Sequence, residues 1–282
     1  MMKKPQWIMA GIALLVVIGL YAATEKQIFG AREIKQARVE PSAAASISID
    51  TILHHAKEHL SAEQITRLNF LEHSISRGNV KDQQLHIYHQ LSRFWADSAG
   101  VFEPYAWYTA EAARLENSEK SLTFAAHLFL NNLVDEKDGG VRQWKAMQAK
   151  DLFERSLKID PENDSSKVGL GAVYLYGNVA TPMQGISMIR EVADKDSTNI
   201  YAQMTLGQAS LVSGQLEKAI ERFRRVVRLQ PDNIEAVIRI AETNEQMGNK
   251  QGAIEWYQKS LSLIRVPEIR DEVQKRIIEL RK

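Results

Sequence analysis

Two consecutive stretches decide the fold: IYAQMTLGQASLVSGQLEKAIERFRRVVRLQPDN at 200–233 and IEAVIRIAETNEQMGNKQGAIEWYQKSLSLIRVP at 234–267. Gly214, Ala219 and Phe223 of the first return 34 residues later as Gly248, Ala253 and Tyr257. A fixed period of this length marks a two-helix unit stacked on copies of itself. In each unit a first helix carries a close pair, Leu206-Gly207 and then Ile240-Ala241. A glycine turn follows, and a second helix presents a small residue and then an aromatic. Small side chains let the two helices approach, and the aromatic fills the space towards the next pair. Glycine suits the turn because it reaches left-handed backbone conformations at low cost. Pro231 sits where one helix must stop and the next begin.

The pattern weakens upstream. A unit at 164–199 keeps Gly171, Tyr174, Gly185 and Ile189, with two extra residues in the turn 177–184. Before it, Ala126 and Phe129 mark a first helix at about 119–134, and Ala149, Phe153, Ser156 and Pro161 mark its partner. The connection 135–142 reads as a long loop. Gly78, Tyr88 and Leu91 suggest one more, diverged helix pair at 62–97. Ser61 with Gln64 reads as a capping box, followed by an apolar stripe of Ile65, Leu68, Leu71 and Ile75.

These residues resemble the tetratricopeptide repeat (TPR) family. The resemblance implies an all-α, right-handed helical solenoid, with an array over 119–267 divided at 119–163, 164–199, 200–233 and 234–267. A diverged TPR-like region at 50–118 precedes the array, and a capping helix at 268–282 follows it. On that cap Ile269, Val273, Ile277 and Leu280 would cover the last repeat, while Arg270, Asp271, Glu272, Lys275 and Arg276 face water.

Composition sets further bounds. Lys and Arg total 36 against 35 Asp and Glu, which argues against a general nucleic-acid binder. No cysteine occurs, so disulfides, thiolate metal sites and cysteine nucleophiles are excluded. Near the start, Trp7–Ala23 is 17 residues without a charge, inside an uncharged run of 20 from Pro5 to Thr24. As a helix that run spans a hydrocarbon core of about 30 Å. A cleaved signal peptide is the alternative, but the run exceeds the usual apolar length and no clean small-x-small site follows. Residues 1–24 are thus expected to be a cytoplasmic tip and transmembrane anchor, and 25–49 a tether. Lys3 and Lys4 favour an inside N-terminus at a bacterial inner membrane, with the bulk of the chain periplasmic. Lys26, Arg32, Lys35 and Arg38 weaken that bias and leave the cytoplasmic face as the alternative. Gly19 and Ala23 either support self-association of the anchor or simply face lipid.

No catalytic motif is present, and no cofactor or metal is expected. His55 and His59 share a helical face beside His54, and His86 and His89 are three apart. Neither pair has a third ligand indicated. Phe94, Trp95, Phe102, Tyr105, Trp107 and Tyr108 read as a packed junction or a ligand groove. Arg222, Arg224, Arg225 and Arg228 read as a solvated outer face or an anion-binding strip.

In the family the first helix of each pair lines a concave groove. Its groove positions fall on Tyr201, Met204, Gln208, Leu211 and Val212, and in the next repeat on Glu235, Ile238, Glu242, Glu245 and Gln246. In the 164–199 unit they fall on Ser165, Val168, Ala172, Leu175 and Tyr176. The resemblance implies a groove apolar at its centre and acidic towards its C-terminal end, suited to a peptide or helix with apolar anchors and some basic residues. The expected function is a non-catalytic, membrane-anchored adaptor that binds another protein in cell-envelope assembly. The alternative is an accessory structural subunit of a membrane transport, secretion or cytochrome-biogenesis complex. The layout is similar to that of anchored periplasmic TPR proteins.

Overall fold

An asparagine starts each of three successive repeats. The side-chain oxygens of Asn163, Asn199 and Asn233 accept hydrogen bonds from the backbone N–H of Ser166, Ala202 and Ala236, at 2.6, 2.9 and 3.0 Å. These caps satisfy amides that the first helical turn leaves open. The residue three positions earlier, Asp160, Asp196 or Gln230, ends the preceding helix each time, the two aspartates in extended backbone. One local device thus sets the angle at which each unit leaves the last.

The structure is a computed structural model that describes residues 47–75 and 81–282. The expected anchor at 1–24, nearly all of the tether at 25–49, Gly78 and the side chain of Ile75 lie outside the described residues. Among the described residues there is no strand, and no helix is long and apolar enough to cross a membrane. The chain runs through α1 (Ile49–Lys57), α2 (Ala62–Ile75), α3 (Lys81–Arg93), a π-helical turn (Phe94–Ala99), α4 (Phe102–Glu116) and α5 (Glu119–Leu133). It continues through α6 (Gly139–Ile159), α7 (Asp164–Tyr176), α8 (Pro182–Lys195), α9 (Ile200–Val212) and α10 (Leu216–Leu229). The last three are α11 (Ile234–Gln246), α12 (Lys250–Leu261) and α13 (Pro267–Leu280).

The helices pair as α3 with α4, α5 with α6, α7 with α8, α9 with α10, and α11 with α12. Within the pair α9–α10, a Cβ on Gly207 would lie 2.5 Å from the ring of Phe223, so only glycine admits that ring. Gly214 and Gly248 hold φ of +71° and +74° in the two repeat turns, as the period predicts. Phe223 is fully buried and Tyr257 nearly so.

Several expectations need correction. The diverged pair placed at 62–97 is instead α3 with α4. The π-helical turn buries Phe94 and Trp95 and swings the chain so that α4 lies along α3, while α2 packs less closely. The loop expected at 135–142 is short, because Asp138 caps α6 at Val141 N–H and the extra residues lengthen that helix. The Ser61–Gln64 capping box forms in both directions, at 2.9 and 3.2 Å. Of the stripe beyond it, Leu68 and Leu71 are buried and Ile65 is exposed. On the cap α13, Ile277 is buried, with Val273 and Leu280 packed beside it, but Ile269 is exposed. Ile264, before the helix, is buried. Arg270 does not face water alone, since it donates to the carbonyls of Leu261 and Ile264 at 3.0 and 3.1 Å.

The aromatic segment is mainly core. Phe94, Trp95 and Tyr108 are buried among Leu68, Leu71, Ile87 and Leu91. Two charged hubs join α4 to the array. Arg114 stacks on Trp107 and binds Glu111, Asp151 and Gln148 at 2.7, 2.9 and 2.6 Å. The Lys145 side chain, 1% exposed, binds Glu136, Glu103 and Asn132 at 2.6, 2.8 and 2.6 Å.

Candidate binding groove

The first helices of successive pairs lie side by side: α5 packs on α7, and α7 on α9. Residues facing outward from that layer therefore form one strip. His127 of α5 is half-buried between rings. Its centroid lies 5.0 Å from Phe153, edge-on, and 5.5 Å from Tyr201 of α9. Its Nε2 lies 3.0 Å from Ser165 Oγ of α7. Burial lowers the His127 pKa below the ordinary imidazole value. Three helices thus meet at one imidazole that the sequence reading did not single out. The visible signal was its place four residues after Thr123, on a helix whose other faces are filled by Ala126 and Phe129.

The expected groove residues divide. Tyr176, Tyr201, Met204, Gln208, Leu211 and Ile238 are all half-buried, as residues at the edge of a core and a groove are. Met204 and Leu211 pack on the cluster around Phe223, and Leu175 and Tyr201 on that around Ile189. Val168 and Ala172 are buried in the core and do not reach the groove. Val212 is 73% exposed, and Ser165, Glu235 and Gln246 are not buried either.

At the C-terminal end, Glu242, Glu245 and Gln246 line an open cleft of about 350 Å³ with Tyr257 and Arg276. Its acidity is matched from within. Arg239 holds Glu242 at 3.0 Å, and Arg276 of α13 makes a double contact with Glu245. Tyr257 Oη also donates to Glu245, at 3.2 Å. The Arg276 guanidinium is the main cause that holds the Glu245 carboxyl below the usual carboxylate range, with Tyr257 adding to it against burial. The cleft is therefore far less negative than its sequence.

Elsewhere, Arg222 is turned inward, donating at 2.8 Å to the buried Gln203, which in turn donates to Ser197 O. That removes one arginine from the expected outer face. His54, His55 and His59 lie on or just after α1, and His86 and His89 on α3, none of them buried. His54 and His55 both contact Glu58, at 3.6 and 3.5 Å. Among the described residues no group of three His, Cys, Asp or Glu is placed to hold a metal.

The tetratricopeptide repeat model matches residues 200–233 and 234–266. Among solved structures the chain is similar to MamA from residue 41 onward of Desulfovibrio magneticus RS-1, at 24% identity over 64% of this chain and 94% of that one, with a TM-score of 0.44. It is also similar to YrrB, described as a TPR protein with an unusual peptide-binding site, at 17% identity, 73% and 97% coverage and a TM-score of 0.42. PilW, described as a type IV pilus biogenesis factor, gives 19%, 64%, 78% and 0.48. None of the curated proteins matches the chain. The two matched units are tetratricopeptide repeats, and they carry the glycine turns and the aromatic wedge that close their helix pairs in space.

Proposed function

We propose that the chain is a non-catalytic scaffold that binds a segment of another protein along the strip His127, Tyr176, Tyr201, Met204 and Ile238. The carrying observation is that these side chains are left half-buried by their own core on adjacent first helices. Aromatic and long apolar side chains held in that state gain from being covered. An extended or helical segment has the dimensions to lie along them. Because Glu242 and Glu245 are already paired, basic residues on the partner are not what the groove selects for. Apolar anchors are.

The uncharged sequence run from Pro5 to Thr24, preceded by Lys3 and Lys4, is what supports a further reading of this protein as anchored at a bacterial inner membrane, with the folded helices in the periplasm and a role in assembling envelope proteins. The alternative is a fixed subunit of a membrane transport, secretion or cytochrome-biogenesis complex. Crosslinked capture from intact membranes tests both, with the natural chain compared against Met204→Glu and Ile238→Glu. One envelope protein lost in both variants supports the reading. A stoichiometric neighbour that survives dissociation of the crosslinks favours the fixed subunit. Identical captures from all chains overturn the groove.

A further inference from the structure

Between α3 and α5 the layer of first helices opens over α4 into a hollow of about 450 Å³. One face of α4 makes its floor, where Tyr105, Thr109, Ala112, Ala113 and Glu116 recur at helical spacing. The two alanines are buried, and their methyl groups leave the space above them unfilled. His89 and Arg93 of α3 stand on one side, and Phe124 of α5 on the other. The hydroxyls around the hollow are matched within the protein. Ser92 Oγ lies 2.7 Å from Thr109 Oγ1, which donates to the Tyr105 carbonyl at 2.8 Å, and Ser121 Oγ lies 2.7 Å from Ser118 Oγ. What the interior offers a ligand is therefore apolar: alanine methyls and two rings. Phe124 is 57% exposed, although Ala125 and Ala126 beside it are fully buried. Covering a ring so placed removes apolar area from water.

The neighbourhood of the hollow indicates what enters it. Phe124 stands one turn before His127 on α5, so the hollow continues the strip described above. On its other side it gives onto a second cleft of about 270 Å³, where His86 and Gln90 join His89 and Arg93. These four share one face of α3, Arg93 is exposed, and no acidic residue lines that cleft among the described residues. The one carboxylate of the hollow, Glu116, lies at the C-terminal end of α4 instead. A segment crossing from the strip thus meets an apolar recess and then a cationic surface. Two rings and a guanidinium favour another ring over a branched aliphatic chain, through stacking and a cation over its face.

We propose that the hollow is the socket for an aromatic side chain of the bound segment, and that an acidic residue beyond that ring pairs with Arg93. The ring lies against Phe124 and Tyr105, over Ala112 and Ala113. This rests on the groove reading above and extends it by one helix pair. With first helices spaced by about 10 Å, the hollow and Ile238 are about 35 Å apart, a span of roughly eleven extended residues.

The test is to pan a phage library of random peptides against the full chain, each of about sixteen residues so as to cover that span. Recovered peptides are synthesised and titrated by fluorescence anisotropy. We expect a shared aromatic residue with an Asp or Glu close to it. Alanine in place of the aromatic should weaken binding on the order of thirtyfold. An amide in place of the acid should weaken it about threefold, and less at high salt. Phe124→Ala should weaken the recovered peptide about fivefold but leave its alanine form unchanged, since the two rings act as a pair. Arg93→Gln should cancel the effect of the acid alone. Both side chains are exposed, so these variants keep the fold. Peptides lost with Met204→Glu but indifferent to Phe124→Ala and Arg93→Gln overturn the socket and leave the groove standing. Peptides that need Phe124 but not Met204 keep the socket and overturn the strip. Peptides indifferent to all three substitutions, or none recovered, overturn both.

Discussion

Lys145 shows how much one side chain carries here. Its ammonium is sealed among Glu103, Glu136, Asn132 and the face of Phe102, and so joins α4, α5 and α6. Lys145→Ala leaves two part-buried carboxylates without a cation, and the loss should be about 3 kcal/mol. Adding Glu103→Gln and Glu136→Gln to Lys145→Ala should recover part of it, and urea denaturation of the three proteins checks both. His127 makes a pH prediction. Its folded pKa is depressed by burial, so the unfolded chain takes up protons first as pH falls. Stability is then full above the unfolded value of about 6.5 and declines below it until the folded imidazole titrates. Thermal melts at pH 7.5 and 5.5 should differ less in His127→Gln than in the natural chain; an unchanged difference would refute the assignment. Gly214→Ala should cost about 1 kcal/mol, because its φ of +71° suits only glycine at low cost. That glycine could be read from the period alone. Lys145 could not, since a lysine in a helix reads as surface until the carboxylates that surround it, from distant positions, are brought together.

At the scale of the helix, the cap α13 is held by Ile277 in the core and by Arg276 on Glu245. Glu245 has a depressed folded pKa, so its contribution is present above the unfolded value and is lost as pH falls through the folded one. Protection from hydrogen exchange, relative to the intrinsic rate at each pH, should therefore fall in Pro267–Leu280 below about pH 4, where an ordinary glutamate begins to protonate, and do so before α9 responds. Arg276→Ala should abolish that pH dependence. The sequence showed this cap and the helices α9 to α12 because their apolar positions repeat. It showed α3 and α4 poorly for two reasons. Their small and aromatic residues keep no period, and the six-residue π-helical turn shifts Phe94 and Trp95 off the face that α-helical spacing gives them. The asparagine caps at 163, 199 and 233 were in plain view, since they recur in step with the repeat. The charge pattern at the C-terminal end was not legible, because Arg239 and Arg276 pair with glutamates that look free in a one-dimensional reading.

Across the array, stability is uneven. The largest apolar cluster runs from Ile52 and Ala106 through Leu122, Phe129 and Phe153 to Val173, and both charged hubs lie within it. Clusters further along are smaller. In a stack where each unit leans on its neighbours, the end with the smaller clusters opens first. Deleting 267–282 should expose Tyr257 and Ala253 and unfold α11 and α12, while residues 102–195 keep native exchange rates. Uniform loss of protection would show one cooperative block instead.

The ring contact between His127 and Tyr201 has a mechanical meaning. It ties the first helix of one unit to that of the unit after next, passing over α7. A helical stack behaves as a spring, and a spring clipped between alternate coils cannot stretch at the clip. Pulled from its two ends, this chain should yield first beyond Tyr201, towards α11, and keep the stretch from α5 to α9 at constant length. A bound segment would then find one rigid seat and one elastic one, and tension along the chain would loosen its grip at the second alone.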